Sequence, residues 1–168
     1  MSDFVTQIGE GFVGEGPDTA HINTVLGKFG SPVESAWATA LAHPAPGHTP
    51  FMVVTQPGVA VKPLTLFVNK ATIASEQHGE LTWGAAQAGV AAGVVAAVRD
   101  GDVDPTLADD LLLIVAVWVD PRAHDAGMVF ANNRDAVAAA LRAGRLREPT
   151  VATVLAAEIW NPFYDPRT

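Results

Sequence analysis

The chain has 168 residues, the size of one domain, with 49% hydrophobic and 17% charged side chains, so it holds enough apolar material for one core and some surface to bury in an oligomer. A net charge of −8 with only ten Lys and Arg argues against a polyanion binder, although one or two lysines suffice for a small anionic ligand. The absence of cysteine excludes disulfides, thiolate metal sites and cysteine nucleophiles.

The N-terminal stretch "MSDFVTQIGEGF" has neither a basic region nor a continuous apolar run, so no secretory signal is expected. The segment 9–19, "GEGFVGEGPDT", reads as turn-rich. "AHINTVLG", 20–27, alternates as a strand, with His21, Asn23 and Val25 on one face and Ile22, Thr24 and Leu26 on the core face. "SPVESAWATALAH", 31–43, reads as a helix, with Ser31 as N-cap, Pro32 at the first helical position and Glu34 completing a capping box.

"PAPGHTP", 44–50, is a loop and "FMVVTQ", 51–56, a strand. A further strand is expected within 61–73, "VKPLTLFVNKATI", with Leu66, Val68, Lys70 and Thr72 on one face. A helix rich in small residues is expected over 82–101, capped by Thr82 and stopped by Gly101. "DPTLADD", 104–110, is a turn, and "LLLIVAVWVD", 111–120, a central strand buried on both faces. Its strictly apolar part, 111–119, is far shorter than the roughly 20 residues of a membrane span, so a soluble, cytoplasmic protein is expected. An amphipathic helix over 131–146 precedes a tail, 148–168, with no clear period. No internal repeat or linker interrupts this order, and a single two-layer α/β domain over 1–168 accommodates it.

"GEGFVG", 9–14, matches the dinucleotide fingerprint, but a proline and a strand follow it where a helix should open, so its glycines read as turn formers. The five histidines form no metal-ligand spacing, and His43 and His48 flank a proline loop as solvated residues. Asp120, His124 and Asp125 in "DPRAHDAG" read as a surface turn rather than a metal corner. His21 and Asn23 share a strand face, Lys70 and Thr72 share another, and Gln87 stands alone on an apolar helix. The residues by themselves leave two readings open. His21 is a hydrogen-bonded structural histidine and Lys70 a snorkelling one, or the set handles a ligand. With one titratable acid/base, several donors and no nucleophile–base pair, the set suits proton transfer on a bound polar heterocycle better than hydrolysis.

"GEGFVGEGPDTAHINTVLGKFGSPVESAWATAL", "KPLTLFVNKATI", "GAAQAGVAAGV" and "ADDLLLIVAVWVD" together resemble the formaldehyde-activating enzyme family, in order from residue 9 to about 120, with "NPF" similar near the end. The resemblance implies an α/β fold like the second domain of a small-subunit ribosomal protein, a homopentamer, and a pterin cleft between subunits. It implies condensation of formaldehyde with tetrahydromethanopterin, as co-substrate, to the methylene derivative and water, with no metal required. It puts the proton donor at His21 and pterin contacts at Asn23, Met52, Lys70, Thr72 and Gln87. Met52 stands for a family leucine, Asn23 for an aspartate, and Ala88 for a histidine, which marks the chain as a divergent paralogue. A non-catalytic paralogue that binds formaldehyde or a pterin as sensor or buffer, and a lyase acting on another folate-like substrate, are the competing readings.

Overall fold

The structure, a computed structural model, describes residues 4–167. Residues 1–3, the start of the stretch read for a signal, lie outside the described residues. Among the described residues one sheet has five strands, in the order β1 (Gln7–Val13), β2 (Ala20–Lys28), β7 (Leu111–Trp118), β6 (Leu64–Asn69) and β3 (Phe51–Met52). Only the β6–β7 pair is parallel, and the helical segment between them makes the crossover such a pair needs. A small hairpin, β4 (Val54–Gln56) with β5 (Val59–Ala60), continues from β3. The expected strand over 51–56 is therefore two pieces that belong to two sheets.

The core lies on one side of the sheet. Ile22 and Leu26 from β2, Leu113, Val115 and Val117 from β7 and Phe67 from β6 are buried against α3 (Gln87–Arg99) and α4 (Ala126–Leu146). On β7 the opposite row is only part-covered, since Ile114, Ala116 and Trp118 remain half-buried, so its burial on both faces is incomplete. The mixed two-layer α/β architecture expected from the sequence is the one observed.

The segment 9–13 corrects the turn reading. It is strand β1, and Gly9 and Gly11 sit in it because α4 approaches backbone to backbone: a Cβ on either would run into the carbonyl of Ala140 or Ala136. Only Gly14 and Gly16, at positive φ, act as turn formers there. Gly89 and Gly93 serve the same close approach between α3 and α4, against the carbonyls of Phe130 and Arg134.

Helix α1 (Pro32–Ala42) starts as expected, with Ser31 Oγ accepting from the Val33 N–H at 3.3 Å. The Glu34 carboxylate reaches back one residue further than a capping box would, to the Gly30 N–H at 2.7 Å. The small-residue helix begins earlier than expected. Ser75, not Thr82, is its N-cap, and helix runs from α2 (Glu76–Glu80) through a π-helical stretch (Leu81–Ala86) into α3. Thr82 instead donates to the His78 carbonyl at 2.7 Å inside the helix. This helix of 24 residues is the one among the described residues long and apolar enough to cross a membrane, yet half of its apolar window is buried in the protein, as in a core helix. Helix α4 begins five residues before its expected start, at an Asp125 N-cap. The tail carries a short helix, α5 (Val151–Ala156), and its Leu155 and Ile159 are almost fully exposed.

Candidate active site

Strand β2 is amphipathic in the sense its sequence predicts: Ala20, Ile22, Thr24 and Leu26 are buried, and His21, Asn23 and Val25 are half-buried on the face away from α4. Cross-strand register places Glu10 and Phe12 of β1 opposite Asn23 and His21, and Ala116 and Trp118 of β7 opposite the same two residues on the other side. Ala116 is also the partner of Val68 on β6, so β7 contributes only a methyl group between β2 and β6 at this level. Lys70 follows the last residue of β6, and its N–H still bonds the Val117 carbonyl at 2.7 Å, which fixes its backbone beside the end of β7. From there its side chain crosses over β7 toward β2.

Three side chains meet around His21. Lys70 Nζ donates to Asn23 Oδ1 at 2.8 Å and lies 3.4 Å from His21 Nδ1. Glu10 Oε1 lies 3.2 Å from His21 Nε2. The imidazole thus stands between a cation on its Nδ1 side and a carboxylate on its Nε2 side. Phe12 closes one edge of the site, its ring centroid 5.8 Å from that of His21. Burial and the Lys70 charge push the His21 pKa below its usual 6.5, while Glu10, by charge and hydrogen bond, opposes the fall. Burial also lowers Lys70, again opposed by Glu10. At neutral pH His21 therefore holds a second ring proton less than a free histidine does, and Lys70 gives its proton up more easily than a free lysine.

The other site residues expected from the resemblance lie apart from this cluster. Thr72 does not share a strand face with Lys70, because β6 ends at Asn69 and the chain bends. Its hydroxyl pairs instead with His48 Nε2 at 2.9 Å, and His48 Nδ1 contacts the Asn69 carbonyl at 2.9 Å. His48 is therefore part of a clamp between two loops and not a freely solvated residue. Gln87 Oε1 accepts from the Val54 N–H at 2.8 Å, tying the head of α3 to β4. With Met52, Phe51 and Trp83 it lines an open groove of about 450 Å³. Met52 pairs with Leu66, four residues before Lys70 along β6, which is about 13 Å of strand. The chain by itself brings together His21, Asn23 and Lys70, and separately Met52 and Gln87.

Sequence reasoning missed Glu10. The signal was available: once 9–13 is a strand, Glu10 alternates outward between two inward glycines and faces the strand that carries His21. It also missed a cavity of about 650 Å³ beside the site, walled by Phe12, Trp118, Arg122, Trp160 and Phe163. The buried His78 is structural: Nδ1 accepts from the Ala74 N–H at 3.1 Å and Nε2 donates to the Val119 carbonyl at 3.0 Å. The segment 120–125 is a turn, as expected, but Asp120 is buried in it and Ala126 and Gly127 already open α4. Asp120 pairs with Arg122 and Asp125 caps α4, and among the described residues no three His, Asp or Glu side chains gather as metal ligands.

The chain is similar to known proteins over almost its whole length. It is 40% identical to the 5,6,7,8-tetrahydromethanopterin hydro-lyase of Methanosarcina barkeri over 151 residues, 90% of this chain and 85% of that protein. It is 33% identical to the "Bifunctional enzyme Fae/Hps" of Methanosphaera stadtmanae and 35% identical to that of Archaeoglobus fulgidus. The matches cover 98% and 89% of this chain but only 44% and 38% of those longer proteins, so it spans less than half of each. The model of the formaldehyde-activating enzyme family matches residues 8–161, which include Glu10, His21, Asn23 and Lys70 of the cluster. The chain belongs to the formaldehyde-activating enzyme family.

Proposed function

We propose that this protein condenses formaldehyde with tetrahydromethanopterin, or a closely related reduced pterin, to give the methylene derivative and water, with His21 as general acid. The observation that carries the reading is the placement of His21, half-exposed on an open sheet face between Lys70 and Glu10. A buried structural histidine such as His78 spends both ring nitrogens on the backbone, whereas His21 spends neither.

The chemistry needs one proton moved twice. A pterin amine adds to formaldehyde and forms a carbinolamine. Its hydroxyl takes a proton from the His21 imidazolium, the C–O bond breaks, and water leaves as the nitrogen lone pair forms an iminium. The second pterin nitrogen adds to that carbon and returns its proton to the neutral imidazole. Two N–H bonds and one carbonyl thus become a methylene bridge and one water. An imidazole serves both halves, as donor when protonated and as acceptor when neutral, and such general catalysis contributes on the order of 100-fold or more. Lys70 offers a cation to a ligand carbonyl or anionic group, and Asn23 offers a carboxamide to the heterocycle.

The site is read as completed by a neighbouring subunit in a homopentamer. Support comes from the separation of Met52 and Gln87 from His21 within one protomer, and from apolar side chains left open on the site face, among them Ile8 and Phe12. Head-to-tail contacts that close on themselves give rings of this kind. The test is direct. Purified protein is mixed with formaldehyde and tetrahydromethanopterin, and in parallel with tetrahydrofolate, and each rate is compared with the spontaneous reaction. Acceleration is expected with the first pterin, and its absence with both would overturn the reading.

A further inference from the structure

We propose that Glu10 is the positioning residue of the His21 acid: its carboxylate holds Nε2–H, sustains the imidazolium against Lys70, and so makes Nδ1 the nitrogen that exchanges a proton with substrate. The proposal rests on the reading of His21 as general acid.

Three observations carry it. The first is register. Glu10 and Asn23 are direct cross-strand partners, and His21 lies on the same face two residues along β2, within reach of a glutamate stem. Glu10 Oε1 comes to 3.2 Å from Nε2. The second is the donor count. An ammonium has no acceptor, so where Lys70 Nζ contacts Nδ1 at 3.4 Å the imidazole must present a lone pair there and carry its hydrogen on Nε2. Glu10 is the acceptor that receives that hydrogen. The third is charge. Lys70 faces His21 from the end of β6, Glu10 faces it from β1, Trp118 faces it from β7 without titrating, and the side chain two along on β2 is the neutral Asn23. Among the described residues within contact of the Lys70–His21 pair, Glu10 is then the carboxylate available to balance the lysine.

The consequence is a division of labour between the two ring nitrogens. Nε2–H is held in both protonation states, because a carboxylate accepts from imidazole and, more strongly, from imidazolium. Nδ1 is bare in the free protein, marked by the long contact to the ammonium. Nδ1 is therefore the site that gains a proton and passes it to a carbinolamine hydroxyl seated on the Lys70 side. A ligand group that draws the ammonium away from Nδ1 clears the path. Glu10 is a positioning residue, since it acts only through His21.

The experiment reads His21 directly by NMR of protein labelled at histidine, titrated from about pH 5 to about pH 9. The His21 signal is identified by its absence in His21→Ala. Glu10→Gln keeps a possible acceptor but removes the charge, and its His21 midpoint should fall. Glu10→Leu removes both, so the midpoint should fall and the nitrogen shifts should report a smaller Nε2–H population. Lys70→Met should move the midpoint the other way. Glu10→Asp should restore the wild-type behaviour in part. The formaldehyde-dependent rate of Glu10→Gln above neutral pH should drop by about threefold or more, as the protonated fraction falls. Unchanged midpoint and tautomer in Glu10→Gln and Glu10→Leu would overturn the proposal and make Glu10 a solvated surface carboxylate. A wild-type protein with no condensing activity would overturn the functional reading instead, and the titration would still decide the role of Glu10.

Discussion

Asn23 Oδ1 accepts a hydrogen bond from Lys70 Nζ at 2.8 Å, across a strand that lies between them. The bond is possible because Ala116, the residue on β7 opposite Asn23, is small. It holds the ammonium beside His21 without neutralising it. Asn23→Asp would turn the contact into an ion pair and weaken the repulsion that lowers the His21 pKa. The acid form of His21 would then persist to higher pH. The formaldehyde-dependent rate of Asn23→Asp is expected to hold up further into the alkaline range than that of wild type, measured as parallel pH–rate profiles. Coincident profiles would make the asparagine a neutral replacement.

His21→Ala should abolish acceleration above the spontaneous reaction while leaving fold and assembly intact, since the ring is half-exposed and outside the core. It should also alter the pH dependence of stability. The folded-state pKa of His21 lies below the usual 6.5, so the unfolded chain binds the proton more readily in the window between the two. The contribution of His21 is full above 6.5 and is lost as pH falls through the folded value. Denaturant midpoints recorded across that window should decline less on acidification in His21→Ala than in wild type. Solvent screening keeps the difference small, and a steeper decline in the variant would contradict the sign.

Lys70→Ala should weaken pterin binding with little change in melting temperature. Its charge is half-buried on the open face, and its structural link to the sheet is a backbone bond that alanine keeps. A large loss of stability with unchanged affinity, read by calorimetry on the same samples, would make the lysine structural.

Gly11→Ala tests the architecture beneath the site. The added methyl would run into the Ala136 carbonyl, a main-chain atom of a 21-residue helix that has no rotamer to yield. Destabilisation of about 1–3 kcal/mol or more is expected from overpacking of this kind, measured by chemical denaturation. A variant as stable as wild type would show that β1 and α4 can part.

The assembly should be a closed ring of five. Light scattering or native mass spectrometry at micromolar concentration should report one species of about five chains. A monomer would remove a between-subunit cleft and leave Met52 and Gln87 without a route to the His21 cluster.

The strand that carries His21 was legible because β2 needs only period two to declare itself, and its polar stripe stands out against a buried row. β1 was not, although it supplies the carboxylate. Its glycines look local, like turn formers, but their cause is α4, more than a hundred residues later in the chain. Thr72 was placed by extending a two-residue period past Asn69, where the strand stops and the loop of Gly47 and His48 takes over. The N-cap at Ser75 was missed because the π-helical stretch that follows shifts the register of the helix, so Thr82 looked like a start when it lies inside. For β1 and for Thr72 the local grammar was sound and a distant contact decided the outcome.

The bare backbone contact between β1 and α4 has one more implication. Side chains elsewhere in the core are cushions, able to re-seat when a neighbour changes size. At Gly9 and Gly11 there is no cushion, and the main chain of the helix sets the height of the strand as a shelf bracket sets a shelf. Glu10 and Phe12 stand on that shelf, facing His21. Enlarging Ala136 or Ala140 on the far side of the sheet would tilt it, and would move Glu10 against His21 without touching any residue on their face.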